Sequence, residues 1–217
     1  MDKNIVKITP LVIGGFMIFQ YIRSRKSKAT RYLCIEIGGT SFKTGIICFK
    51  KSPEFSYTIS QELHDYTKSP LDLFDFIIRN YNPADYDKIA IASFGPVNLT
   101  EGSKYGLILN APNERKKLWT ESSLNNLLYE KYRKKVIVET DVNASAMGEF
   151  YFGNHNTKTS LAYITVGTGV GVGLIINNKV VHGFQHPEGG HTIVNILDED
   201  REHKTSCLFH ENCVEVK

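Results

Sequence analysis

Cys207, His210 and Cys213 stand three residues apart in the segment CLFHENC, and His191 lies sixteen residues before the first of them. Two thiolates and two imidazoles make an acceptable tetrahedral zinc set. Four protein ligands leave no open position for water, so such a site is structural. We expect zinc on His191, Cys207, His210 and Cys213, with His203 as a spare candidate for the fourth place. Scattered polar residues in a loop are the plain alternative.

Two glycine-rich stretches have a different chemistry. EIGGTSFK, residues 36–43, joins two strand-like runs, and so does the ITVGTGVGVG stretch, residues 164–173. Glycines let backbone N–H groups approach an anion closely, and a Thr hydroxyl adds a donor. Two such turns at corresponding places could close on the phosphates of one nucleotide. Gly38, Gly39 and Thr40 would form one turn, and Gly167, Thr168 and Gly169 the other. Glu36 could hold a metal ion through water. Lys43 either supplies a cation or faces solvent. Ordinary hairpins, or glycine used for close packing, account for the same residues.

TDVNASAMGE places Asp141 where a strand gives way to a helix. Asp is common at the helix N-cap. It is also a fit general base for a substrate hydroxyl. Both readings stand at this level.

The elements that must position these groups follow from periodicity. YLCIEIGG, TGIICFK and FSYTIS read as three strands of a meander. SPLDLFDFIIRNY reads as a helix capped by Ser69, with Pro70 at its first position and Asp72 and Asp75 near its positive end. Leu71, Phe74 and Ile78 are expected on its inward face. DKIAIASFG is a strand that ends at a Gly-Pro turn. A helix near ESSLNNLLYEKYRKK turns Leu124, Leu127 and Leu128 inward, and the strand KVIVET leads into Asp141. A helix from DVNASAMGEFYFG and the strands SLAYITVG, GVGLIIN and KVVHG complete the order. This order implies an α/β protein of two related lobes.

With 217 residues, 41% hydrophobic and 23% charged, the chain can bury a sizeable core. A net charge of +3, with one basic cluster in 23–31 rather than a stripe along a domain, is too weak to argue for a nucleic-acid partner, and none is expected. Cys34 and Cys48 lie in apolar runs and read as core thiols. Residues 1–30 differ from the rest. An apolar run, ITPLVIGGFMIFQYI, precedes RSRKSK and is shorter than a spanning helix needs. If residues 4–21 enter a membrane, the basic cluster keeps the following domain on the cytoplasmic side.

Taken in order, IEIGGT, ASFGPV, TDVNAS, ITVGTGVG and HPEGGH resemble the ROK family of sugar kinases, closest to its fructokinases. The resemblance runs from about Tyr32 to Glu215. It implies a two-lobed actin-like ATPase (ribonuclease H-like) fold with the second lobe incomplete: residues 31–140 as the first lobe and 141–217 as the start of the second. It implies phosphorylation of fructose to fructose 6-phosphate by ATP with Mg2+, beside a structural Zn2+. Asp141 would be the base, the two glycine turns would hold phosphate, and Glu36 would stand near magnesium. Asn110, Asp141, Glu188, His191 and Glu215 would hold the sugar. His191 would bind zinc through its other ring nitrogen, which ties the metal to sugar orientation.

Relatives in the family continue well beyond the zinc loop, so the second lobe is expected to expose apolar surface. Other departures are local. Ser41 stands where close fructokinases have Lys, Asn98 stands where Asp is frequent, and NAPNERKKLW is longer than its counterpart. The alternatives are a non-catalytic sugar-binding or regulatory relative, and a kinase for glucose, mannose or another hexose. A kinase needs ATP and so is expected to face the cytoplasm. Family members are often dimers.

Overall fold

The computed structural model describes residues 30–38, 41–49, 53–62, 69–109, 114–120, 122–153, 159–167, 169–183, 186–202, 207, 210, 213 and 214. The N-terminal apolar run and its basic cluster, Gly39, Thr40, Asn110, Thr168, His203 and Glu215 lie outside the described residues. Among the described residues, no helix is long and apolar enough to cross a membrane.

Strands β1 (Thr30–Ile37), β2 (Ser41–Phe49) and β3 (Pro53–Glu62) form an antiparallel meander. Two parallel strands, β4 (Lys88–Ser93) and β5 (Val136–Thr140), extend it on the other side of β1. The sheet order is β3-β2-β1-β4-β5. β4 and β5 are covered on both faces, which is why they read as continuous apolar runs rather than alternating ones. One face carries Leu33, Ile35, Ile37, Ile89, Ile91, Val136 and Val138 toward helices α1 (Pro70–Asn80) and α2 (Leu124–Tyr132). The other carries Tyr32, Cys34, Ala90, Ala92 and Ile137 toward α3 (Asp141–Phe152). Small residues on that second face let α3 come close.

α3 is the centre of the molecule. It packs on β4 and β5 at one side and on a second sheet at the other. That sheet has the order β6-β7-β8, from Leu161–Val166, Val170–Ile176 and Lys179–Val180. Held between two sheets, the middle of α3 has no solvent face: every residue from Asn143 to Gly148 is buried. Gly171 and Gly173 make the approach possible. A methyl group on Gly173 would overlap Val142 O, and one on Gly171 would lie 2.6 Å from Val142 Cγ1. So these two glycines serve packing. The opposite face of β6 is apolar and open: Ile164 is 63% and Val166 80% exposed.

The inward face of α1 differs from the expectation. Pro70, Leu73 and Ile77 are buried, while Leu71 is 58% exposed and Ile78 is also exposed. Phe74 is only partly buried against the core. Seven of the first nine residues of α1 are apolar, so the helix offers more than one stripe of the right period. Tyr81, buried just after the helix, extends the Leu73–Ile77 stripe and donates its hydroxyl to Thr44 Oγ1 at 2.8 Å. The expected cap is present in part: Asp72 Oδ2 accepts the Ser69 N–H at 2.7 Å. In α2, Leu124 and Leu128 are buried and Leu127 only partly so. Cys34 is buried, whereas Cys48 near the end of β2 is half-exposed.

Candidate active site and metal centre

The ladder registers bring three loops to one edge. Ile37 pairs with Ser93, and Ser93 pairs with Thr140. The residues that follow are Gly38, the Phe94-Gly95-Pro96 turn and Asp141. All leave from the carboxyl ends of parallel strands, the usual place for a ligand in an open α/β sheet. The Gly38 N–H donates to Ser41 O at 2.9 Å and ties the first glycine turn.

Glu36 and Lys43 face each other across β1 and β2. Lys43 Nζ donates to Glu36 Oε1 at 3.0 Å, so the lysine neither floats in solvent nor acts alone. Glu36 Oε2 is buried and has no hydrogen-bond partner among the described residues. A buried, orphaned carboxylate oxygen is costly unless something completes it. A hard cation with its water shell suits that donor, so the residue expected near magnesium fits that use.

Asp141 is not the cap of α3. Thr140 Oγ1 accepts the Asn143 N–H at 3.2 Å and takes that role. Asp141 sits one place later, and its Oδ1 accepts the Val142 N–H at 2.9 Å. The capping reading is thereby removed. The second glycine turn lies close by. Gly171, paired with Thr165 two residues short of the turn, abuts Val142. The Gly167 N–H donates to Gly169 O at 2.9 Å, and a Cβ on Gly167 would meet nothing within 4 Å. Unlike Gly171 and Gly173, Gly167 answers no packing demand. It leaves backbone open to a ligand.

HPEGGH folds back over the other face of β7. A methyl group on Gly189 would lie 2.5 Å from Val172 Cγ2, and one on Gly190 would overlap Val170 O. His186 reaches the loop that follows β4, with Nε2 at 3.0 Å from Val97 O and 3.3 Å from Val97 N. One ring nitrogen can serve only one of these. In either tautomer its buried Nδ1 has no partner among the described residues. Burial pushes the His186 imidazole below its ordinary pKa, partly offset by the Val97 backbone. Glu188 has φ 42°, left-handed for a non-glycine residue, a strain of about 1–3 kcal/mol that the surrounding loop must hold. Its Oε1 would be 3.8 Å from a Cβ on Gly95, which puts the carboxylate at the same edge as Asp141.

His191 faces two ways. Its Nδ1 is 3.5 Å from Cys207 Sγ, and its Nε2 is 3.9 Å from Glu188 Oε2. Cys207 Sγ is also 3.7 Å from His210 Nδ1. With buried Cys213, these four residues bring one donor atom each within 4.8 Å of all the others. Bonds of about 2.3 Å to sulfur and 2.1 Å to nitrogen give a tetrahedral S···N edge of about 3.6 Å. The two S···N separations match that edge, and the donor set fits zinc. A bridge between Ile193 and Cys213, with the Val214 N–H on Thr192 O at 3.0 Å, brings the end of the loop back to His191.

Beside Asp141 lies a polar cluster that no sequence motif marks. Glu139 is 5% exposed. Its Oε1 accepts the Thr140 N–H at 2.9 Å and Asn143 Nδ2 at 3.2 Å, and its Oε2 lies 2.7 Å from His182 Nε2. Asn143 Oδ1 accepts the Leu174 N–H of β7 at 3.3 Å. The signal was present: a glutamate in the otherwise apolar strand VIVET needs a partner. Its partner, 43 residues away, was not.

The family model described as ROK family matches residues 32–217. The chain belongs to the ROK family. This ROK chain is 32% identical over 186 residues to the fructokinase of Zymomonas mobilis, covering 85% of the chain and 60% of that protein. It is 32% identical over 189 residues to the fructokinase of Streptococcus mutans, covering 85% and 61%. The ROK family glucokinase from Streptomyces griseus, in complex with glucose and AMPPNP, superimposes with a TM-score of 0.59 at 25% identity, covering 77% of this chain and 51% of that one. The chain thus spans about three-fifths of the curated relatives it matches. The α/β fold with its mixed parallel and antiparallel sheet is the one expected of the family.

Proposed function

We propose that this ROK protein is a carbohydrate kinase that transfers the γ-phosphoryl group of ATP to the 6-hydroxyl of fructose. The observation that carries the proposal is the place of Asp141. It stands at the edge shared by Gly38 and Gly95, close to the Gly167 turn, with its helix already capped by Thr140. The names of the two fructokinase relatives support fructose among the hexoses.

In this reading the Asp141 carboxylate takes the proton of the sugar hydroxyl. The hydroxyl oxygen bonds to the γ-phosphorus, the bond to the β–γ bridging oxygen breaks, and ADP leaves. Such transfer depends on position and charge more than on covalent help. Gly38, Gly39 and Thr40 hold phosphate from one side, and Gly167, Thr168 and Gly169 from the other. Lys43 holds Glu36 in place, and Glu36 would hold the hydrated cation through its unpartnered Oε2. Magnesium, when bound with the nucleotide, offsets charge on the transferred group. Asn110, Glu188, His191 and Glu215 hold the sugar. His191, Cys207, His210 and Cys213 would hold zinc, which would fix the His191 ring through Nδ1 and leave Nε2, 3.9 Å from Glu188 Oε2, for the sugar. ATP places the domain in the cytoplasm.

The test is direct. The full chain is given fructose and MgATP, and fructose 6-phosphate and ADP are measured, with glucose and mannose in parallel. Equal amounts of ADP and fructose 6-phosphate, with fructose the best substrate, are expected. Folded protein that binds fructose by calorimetry but neither binds ATP nor turns over overturns the kinase reading in favour of a sugar-binding protein.

A further inference from the structure

Glu139 is a buried carboxylate that the proposed reaction does not use. Burying a carboxylate is costly unless it is paired and hydrogen-bonded. Here the compensation is concentrated on the turn that begins with Asp141. One oxygen receives the N–H of Thr140 and the amide of Asn143. The other meets His182, from the segment that follows β8. Asn143 then spans the gap: its Oδ1 takes the Leu174 N–H of β7, and its Nδ2 lies 3.4 Å from Val181 O. Glu139 therefore joins three things at one point: the end of β5, the first turn of α3 and the second sheet.

We propose that Glu139 and His182 are positioning residues for Asp141, a pair that locks the first turn of α3 to the second sheet and so sets where the Asp141 carboxylate points. The inference rests on the kinase reading of Asp141 given above. Val142, the neighbour of Asp141, is pressed against Gly171 and Gly173. A change in the distance between α3 and the second sheet therefore moves the base and the glycine turn relative to each other. A misplacement of about 1 Å can cost roughly a hundredfold in rate.

The pair also has a pH signature. The titratable groups that feel Glu139 are His182, His186 from the HPEGGH loop and Tyr105 from the loop after β4. The hydrogen bond with Glu139 raises the His182 pKa against an opposing effect of burial. A raised imidazole pKa means that the charged pair is intact below the ordinary value near 6.5 and is lost as pH rises through the folded value. Turnover limited by this lock falls on the alkaline side.

The experiment measures kcat, fructose KM and fructose affinity by calorimetry between pH 5.5 and 9 for the full chain and for His182→Gln, His182→Arg and Glu139→Gln. His182→Gln is expected to lower kcat roughly tenfold to a hundredfold and to remove the alkaline limb, with melting temperature little changed. His182→Arg keeps a cation at every pH and recovers part of the lost turnover, with the limb moved out of range. Glu139→Gln keeps an acceptor for Thr140 and Asn143, and should resemble His182→Gln. Wild-type turnover with the two glutamine variants within twofold of it and the alkaline limb unshifted overturns the positioning proposal and leaves the kinase reading standing. Wild-type protein that neither turns over nor binds fructose overturns both.

Discussion

His191 turns Nε2 to within 3.9 Å of Glu188 Oε2 while its Nδ1 lies 3.5 Å from Cys207 Sγ. One ring thus joins a four-residue cluster that could hold a metal ion to the Glu188 carboxylate, which the proposal gives to the sugar. A metal on Nδ1 would fix the ring plane and, with it, the hydrogen bond that Nε2 can offer.

The first prediction concerns that cluster. Purified protein is expected to hold about one zinc per chain. Chelation should lower the melting temperature and raise the fructose KM roughly tenfold or more, because the His191 ring is released. Elemental analysis and thermal melts with and without chelator check it. Metal-free protein with Cys207 and Cys213 intact and reduced would show that the cluster is not a zinc site.

Asp141→Asn keeps the shape of the side chain and an acceptor for the Val142 N–H. It loses the basic oxygen. Turnover should drop by roughly 10²–10⁴, with fructose affinity by calorimetry within a few-fold of wild type. Since Thr140 caps α3, the melting temperature should hold. A large loss of stability instead would mean that Asp141 serves the helix and not the reaction.

Gly167→Ala and Gly173→Ala should part company. Alanine at Gly173 meets Val142 O and must push α3 away, at about 1–3 kcal/mol. Alanine at Gly167 meets nothing within 4 Å. It should leave the urea midpoint unchanged while weakening ATP binding. If Gly167→Ala binds ATP normally, the second glycine turn does not hold phosphate.

His186 gives a pH dependence of opposite sign to His182. Burial lowers its pKa below the ordinary value near 6.5. The neutral ring therefore contributes stability above that value, and the contribution is lost as pH falls through the lower folded value. Protonation would place a charge beside the buried Val97 backbone. Protection factors of the segment 186–192, with the intrinsic pH dependence of amide exchange divided out, should fall between neutral and mildly acidic pH, and His186→Gln should flatten that change. Protection factors that do not change with pH in the native protein would contradict it.

Much of the architecture was legible because it is written locally. The apolar runs YLCIEIGG and TGIICFK, the Ser69-Pro70 start of α1 and the helical run DVNASAMGEFYFG mark elements without reference to anything distant. The grouping of four possible metal ligands was legible for a related reason: Cys207, His210 and Cys213 announce themselves by spacing, and His191 by type. The inward face of α1 was not. Several stripes in PLDLFDFII have a helical period, and only contact with the sheet selects Leu73 and Ile77 over Leu71 and Ile78.

By itself, the sequence determined the order of strands and helices, the turns that glycine permits and the residue types at the site, because propensity, period and donor chemistry act over a few residues. Tertiary structure decided which of those residues meet. It placed Lys43 on Glu36, gave the cap to Thr140 rather than Asp141, set His186 on Val97 and paired Glu139 with His182. It also divided the glycines into those that let α3 touch β7 and one that stays open. The contacts of His186 with Val97 and of Glu139 with His182 join segments 89 and 43 residues apart, and their energies exist only once two sheets close on a common helix.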